Sequence, residues 1–193
     1  MKTLSILILS LTLLALGVGA SACNRSDRVE AARETDSVDN RSNVLSDDEK
    51  EFTDYAAEMH VGEIDLAQLA KQKSTNENVK NYADEVISGH SDALKRLSDR
   101  TGQNRTRETT VGSLDTKYHA KYLAPLSGAQ FDQEFIALMI ADHKDAAQTF
   151  QAQLNAAQNR ELKKYLKDTL PTLENGLSNA EKVREKLTAT TNQ

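Results

Sequence analysis

Residues 46–70 read SDDEKEFTDYAAEMHVGEIDLAQLA, and this stretch decides the fold class. Ser46 followed by Glu49 is a capping box, in which the serine oxygen accepts from the third amide and the glutamate reaches back to the cap. Apolar side chains then recur at steps of three and four residues, which is the spacing of one face of an α-helix. The stretch therefore predicts a long amphipathic helix, and with it an all-α protein.

Three further long helices are predicted by the same criteria. The second begins at a box in residues 74–77 and ends at Gly102, the third begins at a box in residues 127–130, and the fourth runs from about Asn159. The connection between helices two and three is long for a compact domain, and residues 114–123 could form a short helix within it. Because such a connection permits a crossover, we predict a ferritin-like four-helix bundle with a long connection between helices two and three.

Composition limits the classes of function. The 193-residue chain has 24 Lys and Arg against 29 Asp and Glu, a net charge of -5, with no concentrated basic face. Nucleic acid is therefore not expected as a ligand. The sequence also lacks a Gly-rich phosphate loop and a His-Glu-x-x-His motif, so we expect no enzymatic activity and no catalytic residue.

The first residues predict export. A positive start, a short apolar run and small residues make residues 1–22 a signal peptide. Ala20-Ser21-Ala22-Cys23 resembles a bacterial lipobox, which implies lipidation of the single cysteine, Cys23; the same residues also suit an ordinary signal-peptidase site. Asn24 after the cysteine resembles an outer-membrane address. We therefore expect a lipoprotein on the periplasmic side of the outer membrane, or alternatively a soluble periplasmic protein.

The rest of the chain divides by composition. Residues 23–45 form the lipidated cysteine and a polar stalk that cannot bury enough apolar surface to fold. The bundle is predicted over residues 46–188, and residues 189–193 are predicted to be a disordered tail.

Polar residues at apolar positions of the helices are the candidate site. Glu63, His90 and His143 interrupt the apolar faces of three helices, and Asp142 lies one position beside such a face. At a rise of about 1.5 Å per residue their heights fall in the middle layer of the bundle. They are candidate metal ligands, for iron or another divalent metal, or members of a buried hydrogen-bond network that fixes helix register.

The two remaining histidines are predicted to face solvent. His60 and His119 do not fall on the predicted apolar faces and receive no role.

Helix three carries a family resemblance. Leu126-Ser127-Gly128-Ala129-Gln130-Phe131-Asp132, followed by Met139-Ile140-Ala141-Asp142-His143, resembles the core motif of domain-of-unknown-function family 4142, exported ferritin-like bacterial proteins described as outer-membrane proteins. The likeness spans residues 46–187. Relatives usually carry a histidine where this chain has Gly176, so Gly176→His is expected to strengthen metal binding if the polar residues form a metal site rather than a hydrogen-bond network alone. The resemblance implies no established reaction, no nucleic acid and no cofactor.

Three hypotheses of function follow. The first is a non-enzymatic, lipid-anchored cell-envelope module that faces the periplasm and binds an envelope protein or serves in envelope stress. The second is a ferritin-like metal-binding protein with a partial Glu/His site, and the third is a structural spacer. The metal content of protein purified without chelator distinguishes the first two.

Overall fold

A computed structural model describes residues 44–107, 110, 112 and 114–191. The predicted signal peptide, Cys23 and most of the predicted stalk lie outside these residues. Within the described part the structure is all-α, with no strand, as predicted. Its helices are α1 (Asp47–Lys73), α2 (Glu77–Thr101), α3 (Leu114–Leu123), α4 (Gly128–Ala156) and α5 (Arg160–Thr191).

The capping box at the start of α1 is present as predicted. The Glu49 amide donates to Oγ of Ser46 at 3.2 Å, and the Ser46 amide donates to Oε2 of Glu49 at 2.9 Å. The other carboxylate oxygen of Glu49 accepts from the amides of Gln158 and Asn159, each at 2.8 Å. Glu49 therefore ties the start of α1 to the turn between α4 and α5.

The other two predicted capping boxes are not formed. Asn76, not Ser74, caps α2, since its side chain accepts from the amide of Asn78 at 2.9 Å. The box in residues 74–77 was wrong because the helix begins two residues later, at an asparagine that also suits an N-cap. Ser127 is the N-cap residue of α4, as predicted, but the capping hydrogen bonds are not formed.

The long connection returns the chain to the end of the molecule where the first helical hairpin turns. Nζ of Lys73, at the end of α1, donates to the carbonyl of Ala124 at 2.6 Å and lies over the ring of Phe131 near the start of α4. Glu49 places the opposite end of α4 beside the start of α1. α1 and α4 therefore run antiparallel, and the segment containing α3 spans the distance between the end of α2 and the start of α4.

The boundaries of the folded part extend slightly beyond the predicted ones. Leu45, assigned to the stalk, is 8% exposed and belongs to the core. α5 continues to Thr191, past the predicted end of the bundle at 188. None of the helices in the described ranges combines the length and the apolar character that crossing a membrane requires.

Apolar side chains fill the core in two separate clusters. One contains Phe52 and Phe150, and the other contains Phe131 and Phe135. Along α1, α2 and α4 the residues between the two clusters include buried polar side chains. The bundle thus has a polar layer between two apolar halves.

Candidate metal centre

Three of the predicted site residues converge in this polar layer. Glu63 on α1, His90 on α2 and His143 on α4 each offer one donor atom, and these atoms lie within 4.8 Å of one another. Glu63 is 4% exposed and the two histidines are 1% exposed. Each residue interrupts an apolar face, so the packing that buries the face also turns the polar side chain inward.

The fourth predicted ligand, Asp142, lies outside this cluster. Its Oδ2 is 3.4 Å from Nδ1 of His119, and both side chains are about three-tenths exposed. Asp142 precedes His143 on α4, and one residue along a helix turns the side chain by roughly 100°. His119, which was predicted to face solvent, is partly exposed, and with Asp142 it lines a pocket whose wall also includes Glu63.

The prediction that His60 faces solvent was wrong. Its side chain is fully buried, and its ring packs edge-on against the ring of Phe150. A signal for this burial was available, because Ala57 and Ile64, three residues before and four residues after His60, are its apolar neighbours on the helix surface. The prediction assumed one apolar face per helix. α1 is instead covered by three helices, α2, α3 and α4, so more than one of its faces is buried.

A continuous row of hydrogen bonds runs through the layer. Tyr165 Oη lies 2.7 Å from Nε2 of His60, and Nδ1 of His60 lies 3.1 Å from Nδ1 of His90. Nε2 of His90 is 3.4 Å from Nε2 of His143, and Nδ1 of His143 is 2.9 Å from the carbonyl oxygen of Met139. The row crosses the bundle from α5 through α1 and α2 to α4.

The last acceptor fixes the direction of this row. A carbonyl can only accept, so Nδ1 of His143 carries the hydrogen and Nε2 of His143 accepts from Nε2–H of His90. Nδ1 of His90 then accepts from Nδ1–H of His60, whose Nε2 accepts from the Tyr165 hydroxyl. Three neutral imidazoles satisfy every bond in the row.

The electrostatics keep these groups uncharged in the metal-free protein. Burial lowers the pKa of His60 to about 3, with a smaller contribution from the charge of Arg96, and burial lowers the pKa of His143 to about 4. Burial also holds the pKa of His90 well below its ordinary value. The pKa of Glu63 is raised well above its ordinary value, first by burial and then by the negative charge of Asp142.

Glu63 is the unsatisfied member of the layer. Its Oε2 is buried and has no hydrogen-bond partner among the described residues. Nδ1 of His143 is 4.0 Å from this oxygen, which is too far for a hydrogen bond. A buried carboxyl oxygen without a partner is costly unless another group, such as a cation, satisfies it.

Gly176 on α5 makes room for His143. A Cβ added at Gly176 would lie 2.2 Å from both Cδ2 and Nε2 of the His143 ring. A histidine at this position would displace His143 rather than join it. The expectation that Gly176→His strengthens metal binding therefore conflicts with the packing.

The donor set suits a transition metal. Two imidazoles and a carboxylate provide three protein ligands, which leaves a fourth position open at a tetrahedral ion. Two nitrogens bound to zinc at a tetrahedral angle lie about 3.3 Å apart, close to the 3.4 Å between Nε2 of His90 and Nε2 of His143. The hydrogen bond from His143 to the Met139 carbonyl has the form that commonly orients a ligating histidine.

Sequence comparison places the chain in a family. A family model described as a domain of unknown function (DUF4142) matches residues 34–183, more than three quarters of the chain, and so includes Glu63, His90 and His143. Comparisons with curated proteins and with solved structures gave no match. The match agrees with the resemblance carried by the motif in residues 126–143, and the chain belongs to the DUF4142 family.

Proposed function

We propose that this protein binds one divalent transition-metal ion at Glu63, His90 and His143, inside an exported, lipid-anchored helical bundle with ferritin-like connectivity. The observation that carries the proposal is the convergence of three donors from three helices within 4.8 Å, in a layer otherwise enclosed by apolar clusters. Zinc, iron and manganese all accept mixed imidazole and carboxylate ligands.

The unsatisfied carboxyl oxygen supports metal binding over a purely structural layer. A network that evolved only to fix helix register would be expected to satisfy all its members. Oε2 of Glu63 is buried without a partner among the described residues, while the imidazoles beside it are fully bonded. A bound cation would ionise Glu63 and supply the missing interaction.

The fold and compartment in this proposal have separate support. The antiparallel arrangement of α1 and α4, with a long connection before α4, is the arrangement a crossover bundle requires. The anchor rests on the sequence of residues 1–23, a signal-like stretch followed by the single cysteine.

Metal analysis of the purified protein tests the proposal. Protein prepared without chelator should contain close to one equivalent of a transition metal, and the metal-free form should bind Co²⁺ with the intense visible absorption of a tetrahedral site. Glu63→Gln should greatly weaken binding, because it removes the only anionic ligand. Glu58→Gln, at an exposed position of the same helix, is the matched control and should bind as the wild type does. Absence of saturable binding in the wild type would exclude a metal-binding function.

A non-metal role is the second candidate, and the directed hydrogen-bond row favours it. Because Tyr165, His60, His90 and His143 satisfy one another without an ion, they can act as a buried connector between helices. The protein would then be a helical module of the envelope, without metal and without enzymatic activity. In that case its melting temperature should not respond to transition metals, whereas a metal-binding protein is stabilised by its ligand.

A further inference from the structure

A buried metal centre needs an opening through which the ion arrives. Glu63, His90 and His143 are at most 4% exposed, so a hydrated cation cannot reach them directly from bulk solvent. Two pockets of the described structure include residues of the centre in their walls, one at Glu63 and one at the two histidines. The two pockets differ in charge.

The pocket at Glu63 is the larger and more acidic of the two. It has a volume of about 300 Å³ and is lined by Tyr55, Glu63, Thr116, His119, Asp142 and Asp145, among others. Asp145 is exposed and Asp142 is partly exposed, so carboxylates lead from the surface to the buried Glu63. Oxygen and imidazole donors of this kind bind divalent cations weakly when water completes the coordination.

Besides its exposed carboxylates, the pocket has a residue with an unsatisfied buried acceptor in its wall. Oε2 of Glu63, whose side chain is 5% exposed, is buried without a hydrogen-bond partner among the described residues, and Glu63 is part of the pocket wall. The charges of the pocket also act on its titratable groups. Burial is the main cause of the raised pKa of Tyr55, and the charges of Asp145 and Asp142 raise it further. Burial likewise raises the pKa of Glu63, with a smaller contribution from Asp142. The pocket is thus a region of negative potential with an unsatisfied acceptor in its wall.

The pocket at the histidines lacks these properties. Its volume is about 200 Å³, and Glu85 is the only carboxylate in its described lining. That carboxylate already accepts a hydrogen bond from Nδ2 of Asn179 at 2.9 Å. Gly176 lines this pocket and packs directly against the His143 ring.

We propose that the pocket formed by His119, Asp142 and Asp145 is a loading site, where a hydrated divalent cation is first held and from which Glu63 transfers it to His90 and His143. This inference rests on the proposed metal-binding function. It gives Asp142 and His119 a role in capture rather than in the final coordination. Negative charge along such an approach raises the local cation concentration and the association rate.

Stopped-flow mixing of the mature, metal-free protein with Co²⁺ tests the loading site. The double variant Asp142→Asn/Asp145→Asn should bind one equivalent of Co²⁺ but associate roughly tenfold more slowly, with a weaker dependence on salt. Glu85→Gln, which removes the carboxylate of the other pocket, is the matched control and should associate at the wild-type rate. Circular dichroism verifies that each variant is folded, and His119→Gln provides a second test, with slower association again expected.

The outcomes separate the two proposals. An equilibrium titration of the wild type comes first, and failure to bind Co²⁺ there would overturn the metal centre and the loading site together. Saturable binding with unchanged association rates in both Asp142→Asn/Asp145→Asn and His119→Gln would overturn the loading site alone. Equal slowing by Glu85→Gln would also overturn it, because the effect would then reflect the overall charge of the protein.

Discussion

Nδ1 of His60 lies 3.1 Å from Nδ1 of His90, so the two imidazoles must hold complementary tautomers. In the metal-free row His60 donates and His90 accepts, which leaves the hydrogen of His90 on Nε2, the atom that faces His143. If a metal takes Nε2 of His90, the hydrogen of that ring must be on Nδ1. His60 must then accept and place its own hydrogen toward Tyr165. Metal binding therefore requires the hydrogen-bond row to reverse its direction at these two residues.

Replacing His60 tests the row directly. His60→Leu should lower the free energy of unfolding by about 1–3 kcal/mol, because Nδ1 of His90 loses its donor and the Tyr165 hydroxyl loses its bond to His60. His60→Gln can both donate and accept, and should recover part of the loss. Urea denaturation of the metal-free proteins measures both values; a His60→Leu variant as stable as the wild type would show that the row does not stabilise the fold.

Replacing Glu63 should affect the stability of the metal-free protein little and metal binding strongly. Because its Oε2 has no partner among the described residues, Glu63→Gln should change the unfolding free energy of the metal-free protein by less than about 1 kcal/mol. The same change should abolish the rise in melting temperature that a bound metal produces. Thermal melts with and without Zn²⁺ measure both, and a large loss of stability without metal would mean that Glu63 is a structural member of the network.

Gly176→Ala should disturb His143 specifically. The added Cβ would lie 2.2 Å from two atoms of the ring, so the ring must leave its position between Met139 and His90 or α5 must shift. We expect a loss of about 1–3 kcal/mol, typical of overpacking, together with weaker metal binding. Gly89→Ala is the control at another helix position. Its added Cβ would lie 2.9 Å from a methyl group of Thr172, a less severe clash, so this change should be tolerated better.

The buried histidines predict a loss of stability in mild acid. Their pKa values in the folded protein are about 3 for His60 and about 4 for His143, below the ordinary 6.5. At a pH between the folded and the ordinary pKa, the unfolded chain therefore binds more protons than the folded protein does. Stability should therefore fall as the pH drops from about 6.5 toward 4, by up to about 1.4 kcal/mol per pH unit for each histidine. Glu63, with a raised pKa, acts in the opposite sense above pH 4.5 but offsets only one histidine. Urea denaturation of metal-free protein at pH 7.5 and 5.5 measures the difference, and equal stability at both would contradict it. His60→Gln should show a smaller difference.

The periodicity of the sequence predicted the helices and three members of the site. Glu63, His90 and His143 each occupy a position where the helical periodicity predicts an apolar residue, and the sequence alone shows this. Counting residues from the helix ends gave these positions similar heights in the bundle, which predicted that they converge. These properties depend on one helix at a time, which is why a single sequence contains them.

The remaining features depend on how helices cover one another. His60 is buried because α1 has neighbours on several sides, and Asp142 faces a pocket because α3 lies over that part of α1 and α4. The contact between Gly176 and His143 joins residues of α5 and α4 through side-chain placement. None of these follows from the spacing within one helix, and each sets a detail of the site's chemistry.

The long connection divides the donors between two covalent halves. Glu63, His60 and His90 belong to the hairpin of α1 and α2, whereas His143 and Tyr165 belong to the hairpin of α4 and α5. An ion held by all three ligands would therefore cross-link the two hairpins, which the backbone joins only through the segment around α3. If that segment were cut, the two fragments should reassociate more tightly with metal than without it, so that a split form of the protein would report the ion by its own assembly.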